Sequence, residues 1–189
     1  MKRFLRILVL TAGLVISLNV NSFANISFSA WWGGAFGSFE MADHSNFNFD
    51  FSSWLNGGIK AHYNLPLGPI GLALGGFCQY TSINVDNDST PTRIAAGIDA
   101  AIFIINLGAI YPYIRGTYSF YDKYAGIGGN GFGVGGGVEL AFTSTVKLFV
   151  ELMYEKTGYT YTDSLKRELE LNFSQVAFNL GFTYVIKIW

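Results

Sequence analysis

The chain has 189 residues, half of them apolar and 17% aromatic, with a formal net charge of −1. This balance excludes a basic nucleic-acid-binding surface or a polybasic anchor to anionic lipid, and the single cysteine, Cys78, excludes an intrachain disulfide. The apolar content is rich for a soluble domain of this size, so a large core or lipid has to take that surface.

Residues 1–24 read as an export signal. Lys2, Arg3 and Arg6 precede an apolar run from Ile7 to Leu18, and Ser22-Phe23-Ala24 places small residues before a cut that leaves Asn25 first. The run is shorter than the ~20 residues a spanning helix needs, and no cysteine near the cut marks a lipid anchor. Without Lys2, Arg3 and Arg6 the chain keeps nine basic against 13 acidic residues, a net charge of −4. Residues 25–189 then form one domain. Its longest apolar stretch, Ala95 to Ile105, is broken by Asp99 and is too short for a helical span.

Alternation of apolar with small or polar residues, punctuated by Gly, Pro and polar clusters, predicts eight strands: Ile26–Phe39, Ser52–Leu65, Ile70–Ser82, Thr92–Ile104, Ala109–Tyr121, Gly131–Phe142, Val146–Lys156 and Leu171–Ile188. Most exceed the ~5–6 residues of an ordinary strand and match the ~9–11 of a tilted transmembrane one. The reading is an all-β, eight-stranded antiparallel transmembrane up-and-down barrel. Connections after the second, fourth and sixth strands are tight: Pro66-Leu67-Gly68-Pro69, Asn106-Leu107-Gly108 and Thr143-Ser144-Thr145. Those after the odd strands are longer and polar: Met41–Phe51, Ile83–Pro91, Asp122–Asn130 and Thr157–Glu170.

One face of each strand is apolar. Phe28, Ala30, Trp32 and Phe36 share it in the first strand, and Leu55, Ile59, Ala61 and Tyr63 in the second. Ile94, Ile98 and Ile102 do so in the fourth, and Val146, Leu148, Val150, Leu152 and Tyr154 in the seventh. Cys78 reads as a small apolar group on the same lipid-facing surface. Tyr63, Tyr80, Tyr118, Phe120, Tyr154 and Tyr184 fall toward strand ends, where aromatic girdles sit. Pro112 removes a ladder hydrogen bond, but near a strand start, where this is tolerated.

The opposite faces carry charge near mid-strand: Lys60, Asp99, Arg115, Glu139 and Glu151, with Gln79, Gln175 and Asn179 nearby. An eight-stranded barrel has room for side chains and little else. Charges confined there have to pair, which predicts one network of these five blocking the lumen. His62 is expected inside, toward the tight-turn end.

Candidate sites weigh less. Gly131, Gly133 and Gly136 spell G-x-G-x-x-G, but a dinucleotide site needs that motif between a strand and a helix. Here Phe132, Val134, Val138, Leu140 and Phe142 keep a period of two, and the inward glycines read as space in a curved wall. No His, Cys or carboxylate pair has metal-site spacing, so no metal and no cofactor is expected. His44, Asp88 and Ser89 lie in two long loops and are the sole candidates for catalysis at the rim. Phe47, Phe49, Tyr159 and Tyr161 are expected on the outer loop surface, as aromatics at the outer interface on strands that run past the membrane; display to a partner is the alternative.

The signal segment, the eight amphipathic strands, the interior charges and the alternating C-terminal run of Phe182, Tyr184, Ile186 and Ile188 before Trp189 resemble the small outer-membrane β-barrel proteins. That group includes OmpX, the OmpA barrel domain and OmpW. The resemblance implies outer-membrane lipid around the barrel, tight turns and both termini in the periplasm, and long loops outside. It also implies that the C-terminal run is read by the barrel-insertion machinery, although Trp189 falls one residue out of phase with the residues before it. A non-enzymatic envelope or adhesin-like role, with a host or cell-surface ligand on the outer loops, is the expected function. A narrow channel for ions or small solutes is the alternative, and a rim-located lipid-modifying enzyme a remote one.

Overall fold

The computed structural model describes residues 25–41, 48–67, 70–84, 91–103, 109–162 and 168–188. Eight antiparallel strands run in chain order around a closed barrel: β1 (Asn25–Met41), β2 (Asn48–Leu67), β3 (Ile70–Asn84), β4 (Thr92–Phe103), β5 (Ile110–Tyr124), β6 (Ile127–Ala141), β7 (Val146–Thr162) and β8 (Glu168–Lys187). β8 returns to pair with β1 from Asn25↔Lys187 to Met41↔Leu171.

All eight expected strands are present, and alternation decides what each side chain faces. Outward residues such as Trp54, Ile59, Phe36, Phe120 and Phe142 are 61–78% exposed, whereas charged and amide side chains such as Lys60, Arg93, Asp99, Arg115, Glu151 and Gln175 point inward and are buried. A water-soluble protein does not present so large an apolar surface; a barrel in lipid does. Cys78 is on this outer face, as are Tyr63, Tyr80, Tyr118, Phe120, Tyr154 and Tyr184.

The strands run further than the sequence indicates at the end opposite the tight turns. Phe49, Phe51, Asp122, Tyr159, Glu168 and Glu170, all assigned to loops, belong to strands. The third long loop shrinks to a two-residue turn in which Ala125 (φ 48°) and Gly126 (φ 91°) both take the left-handed conformation of a mirror-image hairpin turn. Polarity misplaced these boundaries: a strand that rises past the lipid has polar residues on both faces. At the tight-turn end, Thr143 Oγ1 accepts hydrogen bonds from the Thr145 and Val146 amides and closes the β6–β7 turn. The described β4–β5 ladder ends at Phe103↔Tyr113, so Pro112 lies beyond it.

Two bulges interrupt the alternation. Trp54 and Leu55 of β2 both face outward between the buried Ser53 and Asn56, and Phe120 and Tyr121 of β5 do so between Ser119 and Asp122. Each extra residue flips the inward parity of everything above it. Residues 1–24, His44, Phe47, Asp88, Ser89 and Trp189 lie outside the described residues.

Candidate functional site in the barrel lumen

The lumen is stacked in layers. Above the tight-turn mouth, Arg115 of β5 joins two carboxylates from either side: Nε meets Asp99 Oδ2 of β4 at 2.6 Å and Nη1 meets Glu151 Oε1 of β7 at 2.7 Å. Glu151 is further held by the Tyr113 hydroxyl (2.9 Å), Asn179 Nδ2 (3.2 Å) and Lys60 Nζ (3.6 Å). Lys60 Nζ also lies 4.5 Å from the centre of the Phe149 ring, a cation–π contact in a dry setting. His62 Nε2 is 2.9 Å from Asp99 Oδ1, off the N–H direction, and neither atom has another partner among the described residues. To reach Asp99, His62 crosses β3 above Gly75, where a Cβ would sit 2.7 Å from His62 Cδ2.

Four of the five residues expected to form one network therefore meet. Glu139 does not: its Oε2 accepts from Lys147 Nζ at 2.8 Å, nearer the mouth. Strands in a barrel are staggered, so equal distance along β5, β6 and β7 is not equal depth. In the ladder Arg115 is opposite Gly135 and Glu139 opposite Tyr111.

A second layer, which the sequence reading missed, lies toward the long-loop end. Arg93 of β4 donates through Nε to Asp122 of β5 (2.9 Å) and through Nη1 to Glu155 of β7 (2.8 Å). Asp122 also accepts from the Tyr159 hydroxyl (2.6 Å) and Thr157 Oγ1 (3.0 Å), and Glu155 from Gln175 Nε2 (2.6 Å). Amides link the two layers. Gln79 Nε2 donates to Asn56 Oδ1 (2.9 Å) and to Glu155 (3.3 Å), Asn56 Nδ2 donates to Asn179 Oδ1 (2.9 Å), and Asn179 Nδ2 reaches Glu151.

The glycine motif supplies the room for this. Gly129, Gly131, Gly133, Gly135 and Gly137 give β6 a bare inward face, and side chains of β5 and β7 lie across it. A Cβ on Gly131 would be 2.3 Å from Thr157 Oγ1, and one on Gly135 2.4 Å from Met153 Sδ. Phe39, Phe51, Ile83, Tyr124, Tyr159 and Phe173 then pack as an aromatic cap over the upper layer, with the Arg93 guanidinium 4.5 Å from the centre of the Phe173 ring.

Tyr159 is thus a correction: expected on a loop surface, it is 1% exposed inside the barrel because β7 continues to Thr162 with inward parity. Phe49 is partly buried and stacks on Phe39 at 4.9 Å, whereas Tyr161 is exposed. Phe182, Tyr184, Ile186 and Ile188 all face outward from the β8 end.

Below the Arg115 layer, a vestibule of about 280 Å³ opens at the tight-turn mouth, lined among others by Asn25, His62, Asn64, Glu139, Lys147 and Lys187. From Phe149 to the aromatic cap, the inward side chains of both ion layers are buried from water. The polar interior therefore has one wet end and one closed end among the described residues.

No family model and no curated protein matches the chain significantly. Solved structures do. Neisserial surface protein A superposes with a TM-score of 0.55 at 15% identity, covering 83% of this chain and 96% of that one. The outer-membrane protein AlkL, determined in lipid bilayers, gives 0.56 at 13% identity, covering 88% and 92%. At such identities the likeness is one of fold: the chain is built as a small eight-stranded outer-membrane barrel.

Proposed function

We propose that the protein is an integral, non-enzymatic outer-membrane barrel that presents a raised wall to the exterior, in an envelope or surface-interaction role. The export signal is removed after Ala24, the tight turns and vestibule face the periplasm, and the long-loop end faces out. The observation that carries this reading is the asymmetry of the barrel. Among the described residues β1, β2, β7 and β8 have 17, 20, 17 and 20 residues, against 12–15 for β3 to β6. One side therefore stands above the other over a lumen closed by its own side chains. β7 and β8 pair up to Thr162↔Glu168 and carry the exposed Tyr161, a surface suited to a partner at the outer face.

The test is binding of cells or matrix by bacteria displaying the full chain and a variant shortened between residues 160 and 170. Loss of binding, with heat-modifiable mobility of the barrel retained, supports the reading. Undiminished binding, or no binding by either, removes the surface role.

A narrow conduction path is the second reading, favoured by the continuous polar chain from the vestibule to Asp122. It predicts discrete conductance in planar bilayers that changes with Arg115→Ala. A silent, stable barrel rejects it.

A further inference from the structure

The periplasmic vestibule has an excess of positive charge that the ion layers do not absorb. Lys147 and Lys187 line it, and both share the inward parity of their strands: Lys147 with Phe149 and Glu151, Lys187 with Thr183 and Val185. Glu139 is the single carboxylate in the lining, and it is already engaged by Lys147 and by Thr183 Oγ1 at 3.4 Å. Lys187 has no ion-pair partner among the described residues. Asn25, the residue expected to become the N-terminus, is also in the lining and pairs directly with Lys187 across the β1–β8 seam. Cleavage after Ala24 would therefore create an α-ammonium beside Lys187, with the Asn64 amide holding the Asn25 side chain at 2.7 Å. Three cations would then converge on one concave, partly apolar pocket against one satisfied carboxylate. The buried His62 forms its floor.

We infer that the vestibule is a binding site for an anionic group, a phosphate or carboxylate, and that removal of the signal peptide completes it. The inference rests on the proposed cleavage and orientation. A ligand in the concavity displaces little ordered structure, meets cations backed by low-dielectric barrel wall, and finds an amide donor in Asn25, whose side chain Asn64 holds in place.

The experiment uses the mature chain refolded in a neutral detergent, titrated with inorganic phosphate, with succinate, and separately with phosphatidylglycerol added to the micelles. Binding is read from amide chemical shifts of residues around the mouth. Saturable shifts with phosphate or succinate assign a soluble ligand, and shifts with phosphatidylglycerol alone assign a lipid headgroup; both support the site. Lys187→Gln, or acetylation of the Asn25 amine, is expected to weaken binding roughly three- to tenfold each, the scale of one partly screened charge contact. Both modifications leave the ion layers untouched, so the heat-dependent mobility shift is retained. No saturable response to any of the three probes, or affinity unchanged by both modifications, overturns the inference while leaving the barrel and its surface role standing. Loss of the mobility shift in the unmodified chain would instead count against the membrane barrel itself.

Discussion

Arg115 and Arg93 each bridge two carboxylates from different strands, Asp99 and Glu151 for the first, Asp122 and Glu155 for the second, yet their surroundings differ. The lower layer has a second cation, Lys60, and touches the wet vestibule through His62. The upper layer has one cation for two carboxylates, makes up the deficit with neutral donors from Gln79, Gln175, Thr157 and Tyr159, and is sealed by aromatic rings. Buried charges can be satisfied by counter-charge or by hydrogen bonds, and this barrel uses both solutions within one lumen. The layer with less counter-charge should be the more brittle.

Substitution of the arginines is the strongest way to break the comparison. Arg93→Met strands Asp122 and Glu155 without a cation and is expected to cost about 3–5 kcal/mol, read from urea unfolding in micelles. Arg115→Met leaves Lys60 beside Glu151 and should fall at or below the bottom of that range; equal losses would mean that Lys60 contributes nothing. Tyr159→Phe removes a charge-assisted hydrogen bond to Asp122 and should cost roughly 1.5–3 kcal/mol, whereas the matching Tyr113→Phe below, with Lys60 still present, should cost less. Combining Arg93→Met with Arg115→Met tests whether the Asn56, Gln79 and Asn179 amides couple the layers. A departure from additivity of about 0.5–3 kcal/mol is expected, and simple additivity would separate them. The smallest effect is stabilising: Ala125→Asn, at φ 48°, should gain up to ~1 kcal/mol because asparagine tolerates the left-handed region better than alanine.

The same two layers mark how far the sequence could be read. Alternation along β4 and β7, and along β2 and β5 on the tight-turn side of their bulges, puts Lys60, Asp99, Arg115 and Glu151 inside, so the lower layer follows from counting by twos. The upper layer is hidden by a single inserted residue. Counting on from Arg115 and Ser119 puts Tyr121 inside and Asp122 outside, but the bulge at Phe120 and Tyr121 reverses them. Arg93 shares the parity of Asp99, and Glu155 that of Glu151. Both follow from the same rule, but they sit near strand ends, where polar residues suggest solvent. Glu139 failed for a different reason: depth depends on barrel stagger, which one strand's sequence does not encode.

The β1–β8 seam carries a consequence for how the molecule comes into being. Seven of the eight strand pairings join neighbours in the chain, so each hairpin can zip locally and early. The eighth brings Ser29 to Thr183 across 154 positions of sequence, and that contact order makes it the slow step. Until that seam closes, β1 and β8 each present a row of unsatisfied amides and carbonyls that a bilayer cannot solvate. The rate at which this protein reaches its functional form is therefore set by how those two edges are sheltered until they meet.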